Sequence, residues 1–594
     1  MPGICLVLLD KNSALTNYLH KLNNLLAERA ENLYSNVMES HATIVDCGRS
    51  IAIAINVHNR KFRRFNLHRV KQNKEIALFT GYVIRPVIRS YNELKNFVIS
   101  FLEDDASENN LIYSSRGVFA GIHFNVEDNV IYAFVDHIAS KALYYYIDED
   151  VVILSTEFSL IPRMLMCLNR RPVLDTRGAY FLISFGYMIS DVTIMEKTRK
   201  VTPGSIVKLN VMDKRIEEVK RYYRIDNTPR YCDINGIINE LNKRFLHIVN
   251  REYNADKQIA RCHLTTLSAG LDSKVVLLTS YLLGYKDQIA LTFSQSNYID
   301  HVETSRIADD LGVRHIFIPL DYGYYLLRVD ENIEISGGLV PYFGAAHMLY
   351  ALLHLDKYCL LRQAGIVHTG MLGDAILGTY LPKPHHVPAL PSAISRYAIS
   401  KKLLSKAIKF VNFSLYRNAE EFIFYERGIN GILNGYRVIE WFTEFYSPFL
   451  DVDFLDYALR IDPTLRFEEK IYVEWIRKKM PIALKYKWEK LGWRPVYRGK
   501  LEKLLFQLTR IRRWMLRKFL ISPLYSMNPF EYWYAKNPVL PRKFHEYYRS
   551  DIKLIDNKGL RDDVAWLFEE GSVYEKMQAL TLLRIIRLFN LKTE

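Results

Sequence analysis

Short apolar segments with partial alternation of apolar and polar residues dominate residues 1–225. Typical examples are ICLVLL, SIAIAINV, EIALFTGYVI, GVFAGIHF, NVIYAFV and VVILS, all rich in β-branched residues or aromatic residues. Turn-forming runs such as Glu127-Asp128-Asn129 and Asp148-Glu149-Asp150 separate adjacent segments, as hairpins require. This pattern predicts a layered, β-rich first domain over residues 1–225.

The pattern changes near Tyr231, where longer helical stretches alternate with short apolar strands. The segment RCHLTTLSAG precedes a predicted helix in SKVVLLTSYLLG, and the strand QIALTFSQS, a helix ending at ADDLGV and the strand HIFIPL follow in order. Such alternation is typical of a parallel sheet with crossover helices. After about Ala345 the chain is largely helical. We therefore predict an α/β fold, with a parallel-sheet second domain over residues 226–594 that ends in a basic helical extension from about residue 495.

Length and composition agree with a folded protein of two or more domains. The chain has 594 residues, 49% hydrophobic and 24% charged, and single cores stop growing near 250–300 residues. Its six cysteines are scattered, with no CxxC pair and no metal-ligand spacing. The start MPGICLVLLD has no cationic region, and no stretch approaches the ~18 apolar residues of a membrane span. We expect a cytoplasmic protein without a membrane span.

A formal net charge of +15 indicates affinity for an anionic ligand or surface. Nucleotide, nucleic acid, membrane surface and acidic peptide would all qualify. Basic residues are dense over residues 494–518, where they interleave with Trp514 and Leu516 in a helix-like pattern. The segment is therefore either a solvated helix face or a docking surface for an anionic partner.

The strongest chemical signal is a small-residue loop between a predicted strand and a predicted helix. Its sequence is Leu267-Ser268-Ala269-Gly270-Leu271-Asp272-Ser273. A loop in this position collects backbone N–H groups at the positive end of a helix dipole, which suits phosphate. Asp272 can hold the Mg²⁺ that neutralises phosphate charge. An ordinary helix cap would have a similar sequence, so the loop alone does not identify a function.

Four further motifs accompany this loop in order. The loop resembles the SGGxDS pyrophosphate loop of ATP pyrophosphatases, with Ala269 in place of the first glycine. The other motifs are Thr292-Phe293-Ser294, Thr369-Gly370-Met371-Leu372-Gly373-Asp374-Ala375, Glu444-Phe445-Tyr446-Ser447-Pro448-Phe449-Leu450-Asp451 and Lys490-Leu491-Gly492-Trp493. Together they resemble the asparagine synthetase family of class B, the glutamine-hydrolysing type.

The resemblance implies a set of site residues and a reaction. Asp272 and Asp374 would ligate Mg²⁺, and Lys490 would lie near the α-phosphate or the acyl carbonyl. The ATP contacts would be Leu267, Ser268, Ala269, Gly270, Leu271, Asp272, Ser273, Phe293, Ser294 and Gly370. A small-molecule or peptide carboxylate would attack the α-phosphorus, pyrophosphate would leave, and the acyl-adenylate would meet a nitrogen nucleophile.

The first domain resembles the family's glutamine amidotransferase (Ntn) half, and the second its ATP pyrophosphatase (HUP-like) half. The motifs of the first are Arg116-Gly117-Val118-Phe119-Ala120, Asp136-His137-Ile138-Ala139-Ser140-Lys141, Phe185-Gly186-Tyr187 and Val201-Thr202-Pro203-Gly204. A glutaminase of this type needs a cysteine at position two as its nucleophile. Pro2 stands there, and Tyr82 follows Thr80-Gly81 where the family has NGE. We expect an inactive glutaminase domain, as in β-lactam synthetases and lasso-peptide macrocyclases.

The acceptor side also departs from the family pattern. Met371, Ala375 and Tyr446 replace polar or charged family residues. An apolar Met371 would suit a less polar acyl group, although core packing would explain it equally well. Glu444 and nearby Glu440 are candidates for a general base.

Three functions compete on this evidence. The first is an AMP-forming carbon–nitrogen ligase, which makes either asparagine from ammonia or an amide within a peptide or β-lactam precursor. The second is a non-catalytic nucleotide-binding scaffold, and the third is a nucleic-acid-modifying ATP pyrophosphatase. The sequence leaves the oligomeric state open, with a homodimer as one alternative.

Overall fold

The computed structural model describes residues 3–11, 20–22, 24–25, 38–71, 74–88, 90–100, 111–495 and 499–593. In the first part of the chain they form two antiparallel six-stranded sheets, ordered β10-β8-β9-β1-β3-β2 and β12-β11-β7-β6-β5-β4. The strands are β1 (Gly3–Asp10), β2 (Met38–Cys47), β3 (Ser50–Asn59), β4 (Leu67–Lys71), β5 (Glu75–Arg85), β6 (Arg116–Asn125), β7 (Val130–Val135), β8 (Tyr144–Ile147), β9 (Val151–Ser155), β10 (Thr198–Lys200), β11 (Ser205–Asn210) and β12 (Arg215–Arg221).

The sequence of strand β1 is a nearly continuous apolar run because both faces of this strand are buried. Leu6 and Leu8 join a core between the two sheets, whereas Val7 and Leu9 point to the opposite face and join the main core. Because successive side chains of a strand alternate between faces, a strand covered on both sides must be apolar throughout. The layered β-rich prediction for this part of the chain is confirmed.

A five-stranded parallel sheet of order β15-β14-β13-β16-β17 forms the centre of the second part. Its strands are β13 (Cys262–Thr266), β14 (Gln288–Ser294), β15 (Arg314–Pro319), β16 (Ala364–His368) and β17 (Phe445–Tyr446). The chain runs outward from β13 through β14 to β15, then returns to place β16 on the other side of β13. Ligands of open parallel sheets bind at such a reversal point, outside the carboxyl ends of the strands.

Helices cover both parts and make up most of the chain after residue 370. Their bounds are α1 (Tyr91–Ser100), α2 (Leu111–Ser114), α3 (Leu160–Cys167), α4 (Thr176–Ser184), α5 (Ile234–Lys257), α6 (Leu271–Leu282), α7 (Ile299–Leu311), α8 (Val329–Ser336), α9 (Tyr342–Lys357), α10 (Pro391–Ile394), α11 (Leu404–Ile408), α12 (Ala419–Ile423), α13 (Asn434–Tyr436), α14 (Val452–Ala458), α15 (Pro463–Arg466), α16 (Lys470–Lys479), α17 (Gly499–Lys518), α18 (Phe530–Lys536), α19 (Val539–Asp551), α20 (Lys558–Glu570) and α21 (Val573–Leu588). The α/β prediction with a helical carboxyl-terminal region is confirmed. Within the described ranges, no helix combines the length and apolar character needed to cross a bilayer.

The two parts pack directly against each other through polar contacts as well as through a shared core. The Tyr82 hydroxyl donates to the Phe445 carbonyl at 3.2 Å. The Asn59 amide donates to the Phe442 carbonyl at 2.9 Å. Both acceptors lie in or beside β17, so the first part supports the edge of the parallel sheet. The domain boundary at residues 225 and 226 stays a prediction.

A buried ionic network joins α5 to β13 and β16 beneath the sheet. Asp256 accepts from His263 Nδ1 at 2.6 Å and lies 3.0 Å from His368 Nε2, and Glu252 pairs with the other nitrogen of His368. The Tyr253 ring stacks on the His368 ring with centroids 3.7 Å apart. Burial alone lowers the pKa of His368, but the charges of Glu252 and Asp256 outweigh it and raise that pKa from 6.5 to about 9.

This shift predicts a pH-dependent contribution of His368 to stability. The pKa of His368 is higher in the folded state than in the unfolded state. Its contribution to the free energy of unfolding is therefore complete below pH 6.5, decreases above that pH, and is lost as the pH passes through about 9. We expect His368→Gln to lower the free energy of unfolding below pH 6.5. The difference from the wild type should shrink by on the order of 3 kcal/mol by pH 10. Urea denaturation from pH 6 to pH 10 measures it. The exposed His385→Gln variant is the control, and a deficit that stays constant with pH would contradict the prediction.

Candidate active site

A cavity of about 520 Å³ opens at the carboxyl ends of β13 and β16. Its walls come from the loop that follows each of these strands and from residues 432–436, 469–472 and 488–490. The cavity therefore occupies the reversal point of the parallel sheet. Segments far apart in the sequence meet there because adjacent parallel strands end at the same edge.

The loop of residues 267–273 forms one wall and carries its own hydrogen bonds. The Ser268 N–H donates to Ser273 Oγ at 2.9 Å, and the Gly270 N–H donates to Ser268 Oγ at 3.2 Å. Helix α6 begins within this segment at Leu271, and Gly270 at its cap position provides no side-chain acceptor for the first turn. The positive end of the helix dipole thus faces the cavity without a side-chain cap, which favours an anion.

Two partly exposed carboxylates, those of Asp272 and Asp374, line the cavity next to each other. Asp272 Oδ2 accepts the backbone N–H of Asp374 at 3.0 Å, and Asp272 Oδ1 accepts the Tyr472 hydroxyl at 2.6 Å. Burial raises the pKa of Asp272 well above its usual range, and the charge of Asp374 raises it further. The pKa of Asp374 is also raised by burial, although the Lys490 ammonium opposes the shift.

Glycines in the loop after β16 permit this close approach. A Cβ atom added to Gly370 would lie 2.3 Å from the Ser273 backbone nitrogen and 2.4 Å from the Asp272 carbonyl carbon. A Cβ atom on Gly373 would lie 2.8 Å from Cγ of Asp272. Real Cβ atoms do not come this close to other heavy atoms. The neighbouring atoms cannot easily move away, because they belong to the backbone or to the Asp272 carboxylate. The glycines thus set the distance between the two acidic residues.

Lys490 reaches the same cavity and pairs with Glu469. Burial raises the pKa of Glu469, while the Lys490 ammonium lowers it in part. The buried carboxylate of Glu469 and the partly exposed carboxylates of Asp272 and Asp374 thus line the same cavity as one ammonium group. Buried charges need compensation, so this wall favours protons or a cation. Mg²⁺ takes one or two carboxylates together with phosphate oxygens, and the donors present fit that ion.

The cavity also has an aromatic edge formed by Phe293 and His347. Their ring centroids are 5.3 Å apart, and both residues line the cavity. Burial lowers the pKa of His347 to about 4, so its ring is neutral at physiological pH. The edge is therefore uncharged, and its two rings are tilted by 37° relative to each other.

Eight of the ten predicted ATP contacts lie on the cavity wall: Leu267, Ser268, Gly270, Leu271, Asp272, Ser273, Phe293 and Gly370. Ala269 and Ser294 lie behind it. Ala269 is fully buried, its N–H donates to Asp300 at 2.8 Å, and its carbonyl accepts the Glu489 N–H at 3.0 Å. The Ser294 hydroxyl donates to the carbonyl of Gln295 at 3.1 Å. Ala269 therefore fixes the backbone next to Lys490 instead of facing the cavity.

The structure does not bring Glu444, the predicted general base, to the cavity wall. Its carboxylate lies 3.0 Å from the Lys141 ammonium, which is fully buried and comes from the first part of the chain. Glu440 lies 3.8 Å from the same ammonium. Burial raises the pKa of Glu444, and Lys141 opposes that shift. The ion pair holds Glu444 at the contact between the two parts.

Sequence reasoning missed Glu469, Tyr472 and Asp300. Glu469 pairs with Lys490, Tyr472 donates to Asp272, and Asp300 accepts from the loop at Ala269. Burial raises the pKa of Asp300 to about 6. None of the three stands in a recognisable motif; Glu469 and Tyr472 come from one segment, and Asp300 comes from the start of α7. The sequence carries no local signal that would have found them.

In the first part of the chain, the thiol nearest the start is not positioned as a nucleophile. Cys5 lies within β1, where it pairs with Ile55 on one side and Ser155 on the other, and it is 2% exposed. Burial raises the pKa of its thiol strongly. Tyr82 directs its hydroxyl to Phe445. Pro2 lies outside the described residues.

The glycine contacts predict a sharp intolerance at Gly370. Gly370→Ala forces its new methyl group against backbone atoms and should destabilise the protein by about 1–3 kcal/mol, the usual cost of overpacking. Gly344→Ala is the matched control, because Gly344 is exposed on α9 and nothing lies within 4 Å of a Cβ atom added there. The control should be neutral or stabilising. Thermal denaturation compares the two variants, and equal melting temperatures would contradict the packing argument.

Comparison with known proteins gives one relative by sequence. No family model matches the chain. Over 303 residues the chain is 22% identical to "Asparagine synthetase [glutamine-hydrolyzing] 1" of Bacillus subtilis, an alignment that covers 44% of this chain and 46% of that protein. The chain thus spans less than half the length of this relative.

Two solved structures show slight overall likeness. The first, "structure of the allosteric regulatory enzyme of purine biosynthesis", covers 53% of this chain and 80% of its own at 9% identity, with a TM-score of 0.23. The second, glutamine phosphoribosylpyrophosphate amidotransferase from B. subtilis complexed with ADP and GMP, covers 62% and 81% at 10% identity, with a TM-score of 0.24. The 22% identity to the Bacillus subtilis protein supports a distant relationship between this chain and the asparagine synthetases.

Proposed function

We propose that this chain is an ATP-dependent carbon–nitrogen ligase that adenylates a carboxylate and transfers the acyl group to an amine or to ammonia. One observation carries the proposal. The loop of residues 267–273, the carboxylates of Asp272 and Asp374, and the ammonium of Lys490 line a single cavity at the reversal point of a parallel sheet. The distant similarity to an asparagine synthetase supports the same class of reaction.

In this proposal, the wall of residues 267–273 receives the β- and γ-phosphates of ATP. The uncapped first turn of α6 supplies the positive field, and the serine hydroxyls supply donors. Asp272 and Asp374 would hold Mg²⁺, which would neutralise the negative charge of the phosphates. The uncharged aromatic edge of Phe293 and His347 offers a contact surface for the adenine.

The chemistry proceeds in two displacements. A carboxylate oxygen attacks the α-phosphorus, the bond from that phosphorus to the bridging oxygen breaks, and pyrophosphate leaves. The amine nitrogen then attacks the acyl carbon, the bond from that carbon to the phosphate oxygen breaks, AMP leaves, and the nitrogen releases its proton to solvent. Lys490 stabilises the negative charge that develops on the α-phosphate and acyl oxygens. Glu469 positions the Lys490 ammonium for that role.

The acyl side of the cavity favours a less polar substrate than aspartate. Met371, Leu372, Ile432 and Tyr436 form part of its wall, and Met371 is 4% exposed. Apolar walls bind apolar groups and do not compensate a second carboxylate. A peptide or other small molecule with a largely apolar acyl segment therefore fits this cavity best.

We further propose that the nitrogen comes from an amine in the substrate, as in lasso-peptide or β-lactam ring closure, or from free ammonia. Cys5 is buried in the middle of β1, and burial raises the pKa of its thiol. Lys141 of the first part is tied to Glu444 of the second. These contacts support a first domain that acts as a scaffold for the ligase site.

Pyrophosphate release tests the ligase proposal. Asp272→Asn should reduce substrate-dependent release by at least 100-fold, because it removes charge that holds the phosphates through Mg²⁺. Asp213→Asn, at an exposed position of the first part, is the matched control and should keep the wild-type rate. Circular dichroism checks that both variants fold. Tight ATP binding with no pyrophosphate release on any carboxylate and amine would instead support a non-catalytic scaffold.

Glutamine hydrolysis tests the proposed source of nitrogen. We expect no glutaminase activity from the purified protein, measured as glutamate release, and we expect Cys5→Ala to leave pyrophosphate release unchanged. The physical reason is the burial of Cys5 within a strand, where a thiolate is strongly disfavoured. Enzyme-like glutamate release that disappears in Cys5→Ala would overturn this part of the proposal.

A further inference from the structure

Helix α17 exposes most of its apolar residues to solvent, although Leu505 is buried and Phe506 packs against the main core. Five aliphatic side chains, spaced three and four residues apart, form one continuous stripe: Leu501, Leu504, Leu508, Ile511 and Met515. Leu508 is 51% exposed and Ile511 is 53% exposed. Such spacing places all five on one face of the helix. A surface helix normally turns this face towards the core, so the arrangement is the reverse of the usual one.

Polar contacts hold the opposite face of α17 on the protein. Thr509 donates to the Leu491 carbonyl, and Arg513 pairs with Glu489 at 2.8 Å. Leu505 is the only buried residue among those of the helix that the structure describes. The buried Leu505 and the partly buried Phe506 lie on this anchored face as well, beside the segment that carries Lys490, whereas the stripe stays exposed.

Basic residues surround the stripe. Lys500, Lys503, Arg510, Arg512, Arg517 and Lys518 are exposed, whereas Glu502 is the single acidic residue of the helix. Exposed aromatic and aliphatic side chains continue past the stripe, with Trp514 at 55% and Ile521 at 65%. A partner for this surface must be anionic and must also accept apolar side chains.

Three kinds of partner fit less well than a lipid surface. A second copy would bring an equally basic helix, and like charges would oppose contact. A coiled-coil partner helix needs three or four heptads, whereas the stripe runs only from Leu501 to Met515. Nucleic acid would use the basic residues and Trp514, but it has no use for exposed aliphatic groups.

We propose that α17 docks on an anionic lipid surface, with its aliphatic stripe inserted at the headgroup boundary and its basic residues on lipid phosphates. Helices that combine Lys and Arg with Trp and Leu in this way lie in the membrane interface and do not cross it. The inner face of α17 contacts Glu489 and Leu491, so docking would place the Lys490 cavity close to the membrane.

Vesicle co-sedimentation of the full chain tests the proposal. We expect binding to phosphatidylcholine vesicles that contain 30% phosphatidylglycerol, and at least tenfold weaker binding to pure phosphatidylcholine vesicles. Higher salt should weaken binding, because screening acts on the basic residues. The assay is independent of catalysis, so its outcome does not depend on the ligase proposal.

Two matched pairs of variants locate the surface. L508E/I511E on the stripe and K503E/R510E beside it should each weaken vesicle binding at least tenfold. L390E/L415E replaces two exposed aliphatic residues elsewhere, and K401E/K553E reverses two exposed lysines elsewhere. Each control introduces the same change in charge as its partner and should bind like the wild type. Circular dichroism verifies that all four variants are folded.

Four results would overturn the proposal. One is failure of the wild type to bind anionic vesicles, and another is equal binding by the stripe variants and their controls. The third is a dimer in size-exclusion chromatography that L508E/I511E converts to monomer while vesicles do not bind, which would identify a second copy as the partner. The fourth is stripe-dependent binding of a single-stranded oligonucleotide or an acidic amphipathic peptide without vesicle binding.

Discussion

The close approach of two loops at the end of the parallel sheet is the constraint on which the site depends. The loop after β16 crosses the first turn of α6 with no room for a Cβ atom at Gly370. This contact brings Asp374 against Asp272 and leaves both carboxylates only partly exposed. Lys490 and Glu469 then complete a wall in which negative charge is in excess. The cavity, its charge and its fit to Mg²⁺ and phosphate all follow from that contact.

Buried charges in the second part fall into two groups that differ in how they are compensated. Beneath the sheet, Glu252 and Asp256 are matched by His368 and His263, and hydrogen bonds lower the pKa of Asp256 to about 2 against the effect of burial. At the cavity, burial and mutual repulsion raise the pKa of Asp272. A compensated network stabilises the fold, whereas an uncompensated one carries a cost that a bound cation removes.

The first part of the chain supports the site from behind. Arg116 pairs with Asp453 at 2.7 Å, and Lys141 holds Glu444. Tyr82 and Asn59 donate to backbone carbonyls beside β17. These contacts fix the edge of the parallel sheet next to the cavity. They give the first part a structural role that does not require chemistry of its own.

The sequence alone determined which segments are strands and helices, because alternation and helical spacing are local properties of the chain. It also located the loop of residues 267–273 and identified Asp272, Asp374 and Lys490 as residues of one site, since each lies in a motif. It did not reveal Glu469, Tyr472 or Asp300, and it assigned Glu444 a general-base role, although the structure places that side chain against Lys141.

Tertiary structure decided those positions, because each depends on a partner more than twenty residues away in the chain. The same holds for α17. Its sequence contains more apolar positions than one contact can cover. Contacts of Arg513 with Glu489 and of Thr509 with Leu491, together with burial of Leu505, cover one face and leave the stripe exposed. Local sequence determines which faces a helix has, whereas only the partners brought by the fold determine which face is covered.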